Sequence, residues 1–124
     1  MRTATPARHQ TWSRRAWLVL GLLAVAFQAW ALYTPSPPGG VNFTHADKLV
    51  HFALFFMPVT FFCLAQLRPV LVAGAFAVHA VVSELVQYRF VAGRSGSPAD
   101  AITDLAGIIG GWLLARGVAG RRGR

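Results

Sequence analysis

The sequence predicts an all-α protein: a four-transmembrane-helix membrane bundle with both termini on the cytoplasmic side (N-in/C-in). Three observations predict it. Hydrophobic residues make up 55% of the chain and charged ones only 13%, which is too apolar for an ordinary water-soluble domain of 124 residues. The apolar residues gather into runs at 16–33, 49–67, 70–91 and 99–118. Each run is close to the ~20 residues that a helix rising ~1.5 Å per residue needs to cross a ~30 Å hydrocarbon core. The basic residues, finally, sort by membrane side. With alternating helices, Arg2, Arg8, Arg14, Arg15, Arg68, Arg116, Arg121, Arg122 and Arg124 share one side, and only Lys48, Arg89 and Arg94 fall on the other. The arginine-rich side is expected to be cytoplasmic. A net charge of +8 distributed this way is topogenic, and no nucleic-acid partner is expected.

Residues 1–15 form a basic cytoplasmic tail, 16–118 the membrane domain, and 119–124 a second basic tail. The first run is preceded by "SRRAWL" at 13–18, which has the form of a twin-arginine export signal, and contains "AWA" at 29–31, which has that of a cleavage site. The run exceeds a signal core and three more spans follow, so it is read as a retained helix. Trp12 and Trp17 at one boundary, and Trp30, Tyr33 and Tyr88 at the other, fit aromatic belts.

The second run, "HFALFFMPVTFFC", carries Phe52, Phe55, Phe56, Phe61 and Phe62, read as core and lipid contacts, and Pro58, which is expected to kink the helix. The single Cys63 excludes a disulfide framework and is read as packing. Arg68 and Pro69 make so short a connection that the second and third helices are expected to form a tight antiparallel pair. In the fourth run, Gly107 with Gly111 and Ala106 with Gly110 form a small-residue stripe for close helix approach, most simply within the chain.

All four acids, Asp47, Glu84, Asp100 and Asp104, map to the outer half. Asp47 and His51 share a helix face, as do Asp100 and Asp104, and as do Glu84 and Gln87. A carboxylate facing lipid costs about 2.5–3.5 kcal/mol or more, so Glu84 is expected to be paired, protonated or in a wet cavity. His51, Lys48, Arg89 and Arg94 are its candidate partners, with Arg94 preferred for its two-pronged hydrogen bonding. The aspartates have an equally good alternative as helix caps. Thr44 with Asp47 has the form of a capping box, and Ser97, Pro98 and Asp100 read as cap, first-turn proline and capping acid. His51 is open to reading as a satisfied core histidine, and His79 is read as packing or a helix contact.

Three segments, "DKLVHF" at 47–52, "SELVQ" at 83–87 and "GRSGSPADAITDLAG" at 93–107, resemble the VanZ-like family of small bacterial membrane proteins, whose founding member is associated with teicoplanin resistance. The resemblance spans about 47–115. It implies a ligand-binding set of Asp47, Lys48, His51, Glu84, Gln87, Arg94, Ser95, Asp100 and Asp104, and a bacterial plasma-membrane location. Asp104 stands where the family more often has Asn, and Gly96 and Pro98 where bulkier apolar residues are usual.

The first expectation is a module that binds the headgroup of an envelope lipid or lipid-linked precursor. A structural subunit, working through a homo-oligomer or membrane partner, comes second. A metal-assisted hydrolase or transferase of lipid-linked phosphate, with Asp47, His51, Glu84, Asp100 and Asp104 as oxygen and imidazole ligands or as acid and base, comes third. Outside that reading no metal site or cofactor is assigned; a site so rich in carboxylates would suit Mg²⁺ or Mn²⁺.

Overall fold

The computed structural model describes the backbone of residues 7–35, 44–94 and 96–122, with side chains for 14–35, 46–94 and 96–121. Four helices follow in order: α1 (Ala7–Tyr33), α2 (Thr44–Leu64), α3 (Pro69–Phe90) and α4 (Pro98–Arg122). All four are long and apolar enough to cross a membrane, and large side chains such as Leu22, Leu23, Val70, Val78, Leu85 and Ile109 lie exposed along their outer faces. Apolar residues left uncovered on every helix are costly in water and ordinary in lipid, so this is a multi-pass membrane bundle.

The helices alternate in direction. α1 and α3 run one way, and α2 and α4 run parallel to each other the opposite way. Arg14 of α1 donates from Nε to the Ala65 carbonyl just past the end of α2 (3.1 Å), while Gln87 late in α3 reaches the Leu32 carbonyl late in α1 (2.8 Å). One end of the bundle thus carries Arg14, Arg15, Arg68, Arg116 and Arg121 and is called the basic end. The other, where α2 and α4 begin, is called the polar end.

The second run is shifted from its expected place, the helix starting at Thr44 and finishing at Leu64 rather than spanning 49–67. It stops in a hydrogen-bonded turn. Leu67 N–H donates to Phe62 O (3.2 Å) and Gln66 adopts φ 65°, closing the last carbonyls as a left-handed C-terminal residue normally does. α1 continues to Ala7, well before the expected membrane boundary. The Trp12 and Thr44 side chains, and the backbone of Arg2, Ser95 and Arg124, lie outside the described residues.

The expected tight pairing of α2 with α3 is corrected. α2 packs most extensively against α4, next against α1, and only lightly against α3 despite the short connection. The cause is in the fourth helix. A Cβ on Gly107 would run into the Phe52 carbonyl, and one on Gly111 would lie 2.7 Å from the Phe56 carbonyl and 3.0 Å from Thr60 Oγ1. Two missing side chains one turn apart let the backbones of α2 and α4 meet, as small residues do in lipid. Of the other two expected members of that stripe, Gly110 faces the Phe52 and Phe56 rings of α2 and Ala106 is exposed.

Between the helices, Leu32, Leu54, Phe55, Val59, Val72, Ala80 and Ile108 form the core, with Cys63 packed against it. Trp17 stacks on Phe61 with centroids 5.8 Å apart, while Trp30 and Tyr88 are exposed. Pro58 lies within α2 and cannot donate to Leu54 O four residues back. That carbonyl receives Gln28 Nε2 from α1 instead, at 2.9 Å. In a medium without water an unmet carbonyl is costly, and a buried glutamine on the neighbouring helix replaces the missing donor.

Candidate functional site

The parallel packing of α2 and α4 brings two helix N-termini to the polar end, each with a partial positive charge and first-turn N–H groups that have no acceptor one turn back in their own helix. Acids are stabilised there, and the four acids of the chain occupy that region. Asp47 and Asp100 lie in the first turns of α2 and α4. One turn deeper, His51 of α2 and Asp104 of α4 face each other across the glycine-tightened seam, with His51 Nδ1 2.9 Å from Asp104 Oδ1. Glu84 of α3 completes the group, its Oε1 3.6 Å from the same Nδ1. Each of the three residues is buried, Asp104 fully.

The surroundings of Glu84 answer why an acid lies within a membrane span. Its Oε2 accepts the Ser97 N–H at 2.8 Å, where α4 starts, and Ser97 Oγ in turn accepts the Asp100 N–H at 3.1 Å. Ser97, Pro98 and Asp100 therefore do act as cap, first-turn proline and first-turn acid. Glu84 adds to this cap from another helix, an interaction that local spacing could not reveal. The approach is close: a Cβ on Gly96 would collide with the Glu84 carbonyl, so the loop passes here because residue 96 lacks a side chain.

Above the triad, Lys48 Nζ pairs with Asp100 Oδ1 at 3.2 Å, with the lysine side chain 40% exposed. Asp47, also exposed, has Oδ1 4.0 Å from His51 Nε2, ion-pair range and not a hydrogen bond. His51 is thereby flanked at both ring nitrogens by carboxylates. One ligand atom each from His51, Glu84 and Asp104 lie within 4.8 Å of one another, and the same holds for Asp47, His51 and Asp100. Two ionised carboxylates no more than 4.8 Å apart repel by about 3 kcal/mol or more at an effective dielectric near 20. A proton, an imidazolium or a cation must offset that. Two of the carboxylate oxygens in the triad, Glu84 Oε1 and Asp104 Oδ2, are buried without a hydrogen-bond partner among the described residues.

The expected partnership of Glu84 with Arg94 is corrected. Arg94 reaches α1 instead, donating from Nη2 to Ala31 O (2.9 Å) and from Nε to Thr34 O (3.2 Å). Gln87 is occupied in the same way on Leu32 O. The last carbonyls of a helix have no partner of their own, and a cation there also meets the negative end of the dipole. These two residues hold the end of α1, and the histidine, not the arginine, meets Glu84. His79 is a helix contact, its Nε2 3.0 Å from Tyr33 Oη.

Of the nine expected site residues, then, the structure gathers Asp47, Lys48, His51, Glu84, Asp100 and Asp104 into one layered centre. It directs Gln87 and Arg94 to α1, and Ser95 lies outside the described residues. Sequence reasoning missed the Ser97 backbone N–H and Gln28. The second had a signal: a proline at 58 leaves carbonyl 54 in need of a donor. Comparison of the chain with protein-family models, with curated proteins and with solved structures gives no match.

Proposed function

We propose that this is a VanZ-like protein of the bacterial plasma membrane, with both termini cytoplasmic, whose polar end recognises the headgroup of an envelope lipid or lipid-linked precursor. The observation that carries the reading is the layering of the centre. The half-buried Lys48, its ammonium paired with Asp100, and two helix N-termini sit at the rim, and the His51–Glu84–Asp104 group lies beneath them. A rim of this kind favours an anionic headgroup entering from the membrane surface. The outward orientation is supported by the arginines gathered at the opposite end.

Lys48 is the residue to test, since Arg94 already serves the end of α1. Photo-crosslinking of the membrane-embedded chain with a lipid-linked precursor is expected to lose most of its signal in Lys48→Met. Undiminished labelling would overturn the reading.

A structural role is the second reading, favoured by the Ser97 N–H bond to Glu84 and the His51–Asp104 contact, both of which tie helices together. Under it, Glu84→Gln combined with Asp104→Asn keeps folding and phenotype intact.

A further inference from the structure

We infer that the buried His51, Glu84 and Asp104 side chains form a binding site for one divalent transition-metal ion, of the Mn²⁺ or Zn²⁺ class. The argument starts from what is left unmet. Asp104 has no solvent exposure and Glu84 is 7% exposed, yet among the described residues Asp104 Oδ2 and Glu84 Oε1 have no hydrogen-bond partner. Buried carboxylate oxygens normally have one, and an ionised carboxylate within a membrane span is costly unless it is paired. Glu84 Oε1 is aimed at His51 Nδ1, 3.6 Å away, and Asp104 Oδ1 lies 2.9 Å from that same nitrogen. Those separations are near the edges of a coordination polyhedron with bonds of about 2.0–2.2 Å, so the three groups need only small shifts to share an ion.

The donor set narrows the class. One imidazole nitrogen with two carboxylates suits Zn²⁺ or Mn²⁺ better than Ca²⁺ or Mg²⁺, which favour all-oxygen shells. With the ion on Nδ1, the ring proton moves to Nε2, where the Asp47 carboxylate waits at 4.0 Å. A carboxylate behind a ligating histidine is the usual outer support of such sites. Three protein ligands leave at least one coordination position free for water or a ligand. The Ser97 N–H keeps the other Glu84 oxygen in place, fixing which oxygen faces the ion.

This assignment deepens the headgroup reading and rests on the same centre, but ion binding is read without lipid, so the two fail separately. The test uses the full chain in detergent, stripped with chelator and titrated with Mn²⁺ under electron paramagnetic resonance. One ion per chain is expected, displaced by Zn²⁺ and weakened at least tenfold in Asp104→Asn and in Glu84→Gln. Should either variant not fold, X-ray absorption of the Zn²⁺-loaded wild type is expected to show one imidazole nitrogen among light-atom ligands. Absence of stoichiometric binding, unchanged affinity in folded variants, or a shell without imidazole would overturn the assignment. Ion binding with no precursor cross-linking would leave it standing and remove only the headgroup reading.

Discussion

Gln28 shows how a single polar side chain in a membrane span is set by the chemistry of its neighbour. Pro58 removes a donor from α2, Leu54 O is left over, and Gln28 Nε2 supplies the replacement from α1. Gln28→Leu is therefore expected to destabilise the bundle by roughly 1–2 kcal/mol. Pro58→Ala restores a backbone N–H, so the same Gln28→Leu change is expected to cost less in that background. Denaturant titration of the four chains in mixed micelles reads the difference, and equal costs in both backgrounds would separate the two residues. The same logic governs Arg94 and Gln87, which were readable in the sequence as polar groups at the right depth but not as partners of particular carbonyls. Their targets, Ala31, Leu32 and Thr34, lie about sixty residues away along the chain, and only the packing of α1 against α3 brings them near. Glu84 was legible as an acid needing a partner. That the partner is an imidazole and a backbone N–H depends on where α4 begins in space.

Among the elements, α4 carries the sharpest sequence constraint. Gly107→Ala is expected to force α2 and α4 apart, at a cost of about 1–3 kcal/mol, because its Cβ meets backbone and not a movable side chain. Gly117→Ala meets nothing within 4 Å among the described residues and is expected to be neutral or slightly stabilising through helix propensity. Thermal stability of the two variants in the same detergent checks the contrast, and similar losses would contradict the seam. At the other end of α2, Gln66 holds φ 65°, a region that disfavours side chains by about 1 kcal/mol. Gln66→Gly is expected to recover up to that amount. Helix existence and number were plain from the apolar runs, and so was the glycine seam. Which helix the seam served was not, since spacing within α4 carries no mark of its partner. A short connection suggested α3 as the neighbour of α2; two backbone carbonyls over absent side chains made it α4.

For the molecule as a whole, charge and polarity divide the bundle into a basic end and a polar end, and the acids gather where two parallel helices start. With Cys63→Ala removing the native thiol, cysteines at Pro35 and Arg121 are expected to react with a membrane-impermeant maleimide from opposite sides, Arg121 from the cytoplasmic one. Labelling of both from one side would break the up-and-down arrangement. The convergence of α2, α3 and α4 on one buried centre is the claim on which headgroup recognition and ion binding alike depend. A double-mutant cycle between His51→Gln and Asp104→Asn, measured by unfolding in mixed micelles with chelator present, tests it most directly. Residues 2.9 Å apart and buried together are expected to couple by about 1 kcal/mol or more. Additive costs, with coupling near zero, would mean that the two side chains do not meet.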